Sequence, residues 1–170
     1  DGAWIGWPGG TDTDLAPLMQ FFAEGRTMSY GLFVNGNERQ LPLRVRMTEP
    51  NSPAAVAGLV RGDSIVSVNG VSAADLIAGD FAVFAPARAG DQITVVADTA
   101  TGRRTFVLTA AEFDLTPVPV TRVLTLANVG KAGYLALKDF IVQAETPVTT
   151  ALADSRAAGM GPKGDTPLFP

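Results

Sequence analysis

Three lysines, Lys131, Lys138 and Lys163, together with scattered serines, are the residues through which this chain could run nucleophilic chemistry. A Ser-Lys pair works when the serine stands on a constrained turn and the lysine is desolvated enough to lose its proton. Here Lys131 falls in a turn, Lys138 at a strand end and Lys163 in the tail, and none has a nucleophile-elbow or Ser-x-x-Lys setting. The chain has no histidine and no cysteine, which removes the Ser-His-Asp triad, thiol nucleophiles, disulfides and the usual zinc sites. The carboxylates Asp63, Asp75, Asp80 and Asp91 are spread over caps and turns, their ordinary structural place. Gly161-Pro162-Lys163-Gly164-Asp165 is too short and too far from a strand to cradle a phosphate. The residues at hand predict binding rather than catalysis, with no metal and no cofactor.

Bulk properties narrow the partner. A net charge of −4 without a Lys/Arg cluster argues against a nucleic-acid surface. Arg44, Arg46, Arg103 and Arg104 read as a strand's solvent face and a hairpin tip. No apolar run reaches the ~18 residues that a membrane-spanning helix needs. The first residue is Asp1, so a leader or lipid anchor removed earlier would leave no trace here.

The elements that would position a binding site follow from period and punctuation. Past the Gly- and Trp-rich start (Trp4, Trp7), Asp14 caps a helix with Leu15, Leu18, Met19 and Phe22 at helical spacing, and Gly25 ends it. Residues 30–34 form a strand leading into an Asn35-Gly36-Asn37 turn. Leu41, Leu43, Val45 and Met47 then alternate with polar residues as a half-buried strand. Ser52, Pro53 and Gly58 are the cap, first position and left-handed stop of a helix barely longer than one turn. Residues 64–68 are a strand closed by the tight turn Asn69-Gly70. Ser72 and Asp75 make a capping box for a helix predicted to run towards Arg88, with a break near Gly79. Strands at 92–97 and 105–108 follow, then a Pro-spaced linker or edge strand at 114–119. Two more strands lie at 120–126 and 132–137, and Thr146-Pro147 opens a helix to about Gly159. The mixture predicts an α+β fold.

The run from Ser52 to Gly70, SPAAVAGLVRGDSIVSVNG, resembles the signature of PDZ domains in bacterial proteases. The Ser-Pro-Ala-Ala turn, the Ala57-Gly58 stop, the Gly62-Asp63 step and the Asn69-Gly70 turn stand in the family's order, and the likeness covers about residues 29–109. Gly133-Tyr134-Leu135-Ala136-Leu137-Lys138-Asp139-Phe140, with the helix after it, resembles the first elements of the catalytic core in C-terminal-processing, or tail-specific, serine peptidases. In that family the catalytic Ser and Lys come later. Residues 161–170 depart from its pattern, as though the likeness were cut short there. The resemblance implies a small, partly open PDZ-like barrel or sandwich with one short and one longer helix. A helical lead-in would precede it and a β-β-α piece of peptidase core would follow. The implied division is 1–28 lead-in, 29–110 PDZ domain, 111–159 linker and first core elements, and 160–170 disordered tail.

The resemblance also implies a mode of action. PDZ domains add a peptide as an extra strand to a sheet edge and hold its terminal carboxylate with backbone N–H groups. Tyr30, Gly31, Leu32, Phe33 and Val34 occupy the place of the carboxylate loop and strand edge, with Arg26 just ahead as a possible extra charge. Phe81 and Phe84, three apart on the predicted helix, would form the opposite wall and favour apolar C-terminal side chains. The partners implied are C-terminal tails of protein substrates and the rest of a peptidase domain. The family's usual place, the periplasm or cell envelope, is implied with them. Unpaired edges in the β-β-α piece would dock on the PDZ unit or pair with a second copy. The competing readings are a stand-alone PDZ scaffolding module and a PDZ domain from a trypsin-like periplasmic protease.

Overall fold

The structure is a computed structural model that describes residues 20–36, 39–127 and 130–159. Most of the expected lead-in helix, the Asn37 and Val129 turn positions and the tail from residue 160 lie outside the described residues. The chain divides into two compact units. One is the continuous stretch Arg26–Leu115, and the other combines Asp1–Gly25 with Thr116–Pro170. Both mix helices and strands in open sheets, as the α+β expectation holds.

The continuous unit begins and ends in one another's company. β1 (Arg26–Ser29) pairs antiparallel with β8 (Ala111–Asp114), Arg26 facing Asp114. Sequence patterning did not separate β1 from the helical lead-in, because four residues are too few to show a period of two. β2 (Leu32–Val34) pairs with β3 (Val45–Thr48), and the register slips between Phe33 and Val34. The expected strand over 41–47 is shorter at its start. Leu41-Pro42 is a cis bond, Leu41 is exposed, and Leu43 and Val45 alone of the alternating set are fully buried.

α1 (Pro53–Ala57) forms as its letters dictate. Ser52 Oγ accepts from the Ala55 N–H at 3.3 Å, Pro53 needs no donor at the first position, and Gly58 leaves at φ 90°. β4 (Ser64–Val68) then turns through Asn69 (φ 50°) and Gly70 (φ 81°), both left-handed as a primed hairpin turn requires, into β5 (Val71–Ser72). α2 (Ala73–Ala78) is capped by Ser72, whose hydroxyl also donates to Asp75 Oδ2 at 2.6 Å. β6 (Gln92–Thr99) and β7 (Gly102–Thr109) complete a four-stranded sheet in the order β5-β4-β6-β7. Its buried face joins Leu43, Val45, Leu59, Val68, Val95 and Leu108 in one core. Each such aliphatic side chain contributes about 2–5 kcal/mol against truncation to alanine.

The second unit holds an antiparallel ribbon, β9 (Val120–Leu126) with β10 (Gly130–Ala136), and the helix α3 (Glu145–Ala157) packed on it. The helix starts two residues earlier than the Thr146 cap predicted. A 3-10 turn, Val142–Ala144, feeds straight into it, and Pro147 sits at its third position. There the missing N–H is still one of the donors that have no partner inside a helix. Gln20–Glu24 winds as a π-helical turn, Gly25 leaves it at φ 65°, and Gln143 Nε2 donates to the Ala23 carbonyl at 2.7 Å.

Candidate functional site

Gly31 is the pivot of the loop between β1 and β2. Its φ of 66° is left-handed, and a Cβ placed there would collide with the Ser52 side chain and come within 3.2 Å of the Phe113 ring. Only glycine lets the backbone lie this close to the helix cap. The loop is stitched down on every side. The Gly31 N–H donates to Ser29 Oγ at 3.0 Å, and its carbonyl accepts from the Glu49 N–H at 2.9 Å. The Tyr30 carbonyl accepts from the Ala54 N–H of α1 at 3.0 Å. Ser52 serves both α1 and this loop, a double use that sequence reading missed because the cap alone accounted for a serine there. The Tyr30 ring is buried. Its phenol is raised above the ordinary value, first by desolvation and then by the charge of Asp91.

β2 continues from this loop with its two edges in different states. The Gly31 carbonyl and the Asn35 N–H, the latter donating to the Arg44 carbonyl at 3.1 Å, both face β3. Antiparallel pairing alternates its bonding residues, so Leu32 and Val34 turn their N–H and C=O groups to the opposite side. Among the described residues β2 has no other strand neighbour. Leu32 is buried beneath this edge, Val34 is half-buried, and Phe33 is exposed on the other face.

Phe81 and Phe84 do not share the helix expected of them. α2 stops at Gly79 (φ −95°, ψ −119°), and a separate 3-10 turn, Ala82–Phe84, follows, with Phe81 just before it and Phe84 as its last residue. The tighter turn still keeps them together, with rings stacked at 6.2 Å between centroids and 25° between planes. Both are half-buried against the core with Val83. The Phe81 ring also packs on the backbone of Gly36, two residues beyond β2. The strand itself is Leu32–Val34, Tyr30 and Gly31 belong to the loop before it, and Phe81, with Phe84 stacked on it, packs on Gly36 two residues past its end. Arg26 belongs elsewhere, bridging Glu112 at 3.2 Å and Asp114 at 3.3 Å across the β1–β8 pair.

Of the lysines considered for chemistry, Lys138 pairs with the Asp139 carboxylate next to it and Lys131 is exposed on β10, while Lys163 lies outside the described residues. No group of carboxylates among the described residues is placed to hold a metal ion.

Comparison with known proteins bears on this geometry. Residues 44–82, from just before β3 to the first residue of the 3-10 turn that follows Phe81, match a family model described as a PDZ domain. The photosystem II D1 C-terminal processing protease superposes with a TM-score of 0.57 at 22% identity, over 88% of this chain and 42% of that one. The fold is shared with a C-terminal processing protease. A Bacteroides fragilis structure bearing the name S41 protease matches at TM-score 0.49 and 19% identity, over 81% of this chain and 39% of its own. A serine endoprotease from Yersinia pestis matches at TM-score 0.39 and 27% identity, over 53% and 30%. The chain spans less than half the length of each of these structures. No helix among the described residues is long and apolar enough to cross a membrane.

Proposed function

We propose that this chain is the substrate-recognition portion of a C-terminal-processing serine peptidase. It captures the free C-terminal tail of a protein by adding it as a strand to the outer edge of β2. The observation that carries the reading is the pairing of that edge, with Leu32 and Val34 turned outward, to a loop that Gly31 holds against Ser52. An added strand bonds to Leu32 and Val34 irrespective of its sequence, and its carboxylate lies towards the Leu32 end of the strand, at the loop whose Gly31 N–H is held by Ser29 Oγ. The stacked Phe81 and Phe84 give the groove an apolar wall, so apolar tails are favoured over charged ones. In this reading Arg26–Leu115 is the recognition domain, and β9, β10 and α3 are the first elements of the peptidase core. The Ser-Lys dyad of the parent enzyme lies outside this chain. The parent works at the cell envelope or in the periplasm.

Calorimetry with an apolar-tailed peptide and with the same peptide amidated at its C-terminus tests this. The free acid is expected to bind at about 10–100 μM, or roughly 5.5–7 kcal/mol, and the amide to lose most of that. Equal binding of the two, or none by either, overturns the proposal.

A further inference from the structure

Arg44, Arg46 and Arg61 stand apart along the chain, and the fold brings them together. Residues 61–63 run antiparallel beside the start of β3, with the Arg44–Ser64 bridge continuing the pairing. The Val45 N–H donates to the Asp63 carbonyl at 2.9 Å, and the Gly62 N–H donates to the Val45 carbonyl at 2.9 Å. Two arginines then lace the segments crosswise. Arg44 Nη1 donates to the Gly62 carbonyl at 3.1 Å, and Arg61 Nη1 to the Arg46 carbonyl at 3.2 Å. Each pinned guanidinium keeps the rest of its fork for another acceptor. All three arginines are exposed, and among the described residues no carboxylate lies within ion-pair reach of them. The acid in the same stretch, Asp63, is buried, with Oδ2 accepting from the Val60 N–H at 3.0 Å.

The strip continues across the sheet. Arg44, Ser64, Asp98 and Arg103 are successive partners in one row about 14 Å wide, three strand spacings. Asp98 is spent on Arg103, which it meets at 2.8 and 3.0 Å. The carboxylate of Asp91 stands beyond the other end of β6, about 20 Å away along the strand. That is about twice the ~10 Å over which salt leaves charges in touch, so the strip keeps its field although the chain carries −4. Two aliphatic side chains lie exposed close by in the chain, Val56 on α1 and Val60 next to Arg61.

We propose that this strip docks the Arg26–Leu115 unit on an anionic lipid bilayer, with Arg44, Arg46 and Arg61 on headgroup phosphates. A guanidinium fork matches a phosphate in geometry as well as charge. Exposed valines beside the arginines favour a lipid surface over an acidic polypeptide, because the headgroup boundary accepts apolar side chains together with basic ones.

Cosedimentation of the whole chain with vesicles of equal parts phosphatidylglycerol and phosphatidylcholine, and with phosphatidylcholine alone, tests this. Binding is expected on the anionic vesicles only, and it should fall as salt rises. Arg44→Gln, Arg46→Gln and Arg61→Gln should each weaken it about fivefold, and together on the order of a hundredfold. A control triple, Arg88→Gln with Arg122→Gln and Arg156→Gln, makes the same change in net charge at exposed positions elsewhere. It should move binding less than about twofold. Thermal melts check folding. If the pinned pair proves necessary for the fold, Arg46→Gln carries the test, since among the described residues that side chain holds no hydrogen bond or ion pair. Equal binding to both vesicle types, binding to neither, or a control triple as damaging as the strip triple overturns the proposal. Capture of polyglutamate without vesicle binding would assign the strip to an acidic protein segment and overturn the lipid assignment too. Tail binding at β2, read by the peptide calorimetry, is independent of every one of these outcomes.

Discussion

Gly31 and Ser52 form the tightest pairing of single residues in the site, and they can be separated experimentally. Gly31→Ala suffers twice, from a left-handed φ and from the collision of its new Cβ with the Ser52 side chain. The first effect costs about 1–3 kcal/mol, and the second adds to it. Ser52→Gly removes the obstructing atoms and weakens the cap of α1 by only a few tenths of a kcal/mol. The double variant should therefore recover the steric part of the loss and leave the φ part. In urea unfolding, the two changes should be non-additive by about 1 kcal/mol or more. Additive losses would show that the loop does not lean on Ser52. Tyr30 gives a second test beside it. Its phenol is raised above its ordinary value of 10.0, so the folded protein holds a proton that the unfolded chain releases. The stability this reflects is complete below pH 10 and declines as pH rises towards the folded value. Absorbance titration of Tyr30 in a Tyr134→Phe background should show phenolate forming later than in the urea-unfolded chain. Coincident titrations would contradict the burial of the ring.

At the level of elements, the β1–β8 pair shows which contacts hold the site's frame. Arg26 bridges Glu112 and Asp114 in the open, and exposed ion pairs are worth only about 0–1 kcal/mol and weaken with salt. Phe113, buried on β8 and close to Gly31, is a different matter. Phe113→Ala should cost about 3–5 kcal/mol, and Arg26→Ala less than about 1 kcal/mol. Thermal melts in low and high salt separate them, and an Arg26→Ala loss as large as that of Phe113→Ala would overturn the ranking. The same elements show what was legible in the sequence. Ser52-Pro53, Gly58, Asn69-Gly70 and Ser72 each demand one local backbone conformation, so α1, the β4–β5 turn and the start of α2 could be read from their letters. β1 and β8 could not, since each is four residues long and finds its partner some 80 residues away in the chain. The strand was expected over 30–34 and forms over Leu32–Val34, because Tyr30 and the left-handed Gly31 are spent on the loop before it. The separate turn under Phe81 and Phe84 was not, because spacing of three suits a 3-10 turn as well as a helix. Gly36 read as a turn glycine, and its contact with Phe81 exists only in three dimensions.

For the molecule as a whole, the connectivity makes a stronger prediction than either unit does alone. Arg26–Leu115 interrupts the other unit in sequence, and its two ends meet in the β1–β8 pair, where Arg26 and Asp114 are direct partners. An insertion whose ends are neighbours can be removed without leaving a gap to span, and a domain with its own core folds alone. This one has such a core, from Leu43 and Val45 through Val95 to Leu108. Among the described residues the other unit buries Ile141, Ala144 and Ala151 but leaves Val123, Leu124, Leu126, Tyr134 and Leu152 exposed. A two-stranded ribbon with so little covered is marginal in water. The fragment 26–115 is therefore expected to unfold in one cooperative urea transition, with a slope of about 1–3 kcal/mol/M, and to keep its preference for a free carboxylate. In the whole chain, amide hydrogen exchange should be slowest in β4, β6 and β7 and faster in β9 and β10, following local burial. A fragment that melts without cooperativity would mean that the recognition unit depends on residues outside 26–115. Protection in β9 and β10 equal to that of the central sheet would mean that the ribbon's apolar residues are covered in solution. A concentration-dependent loss of that protection on dilution would then identify the cover as a second copy of the chain.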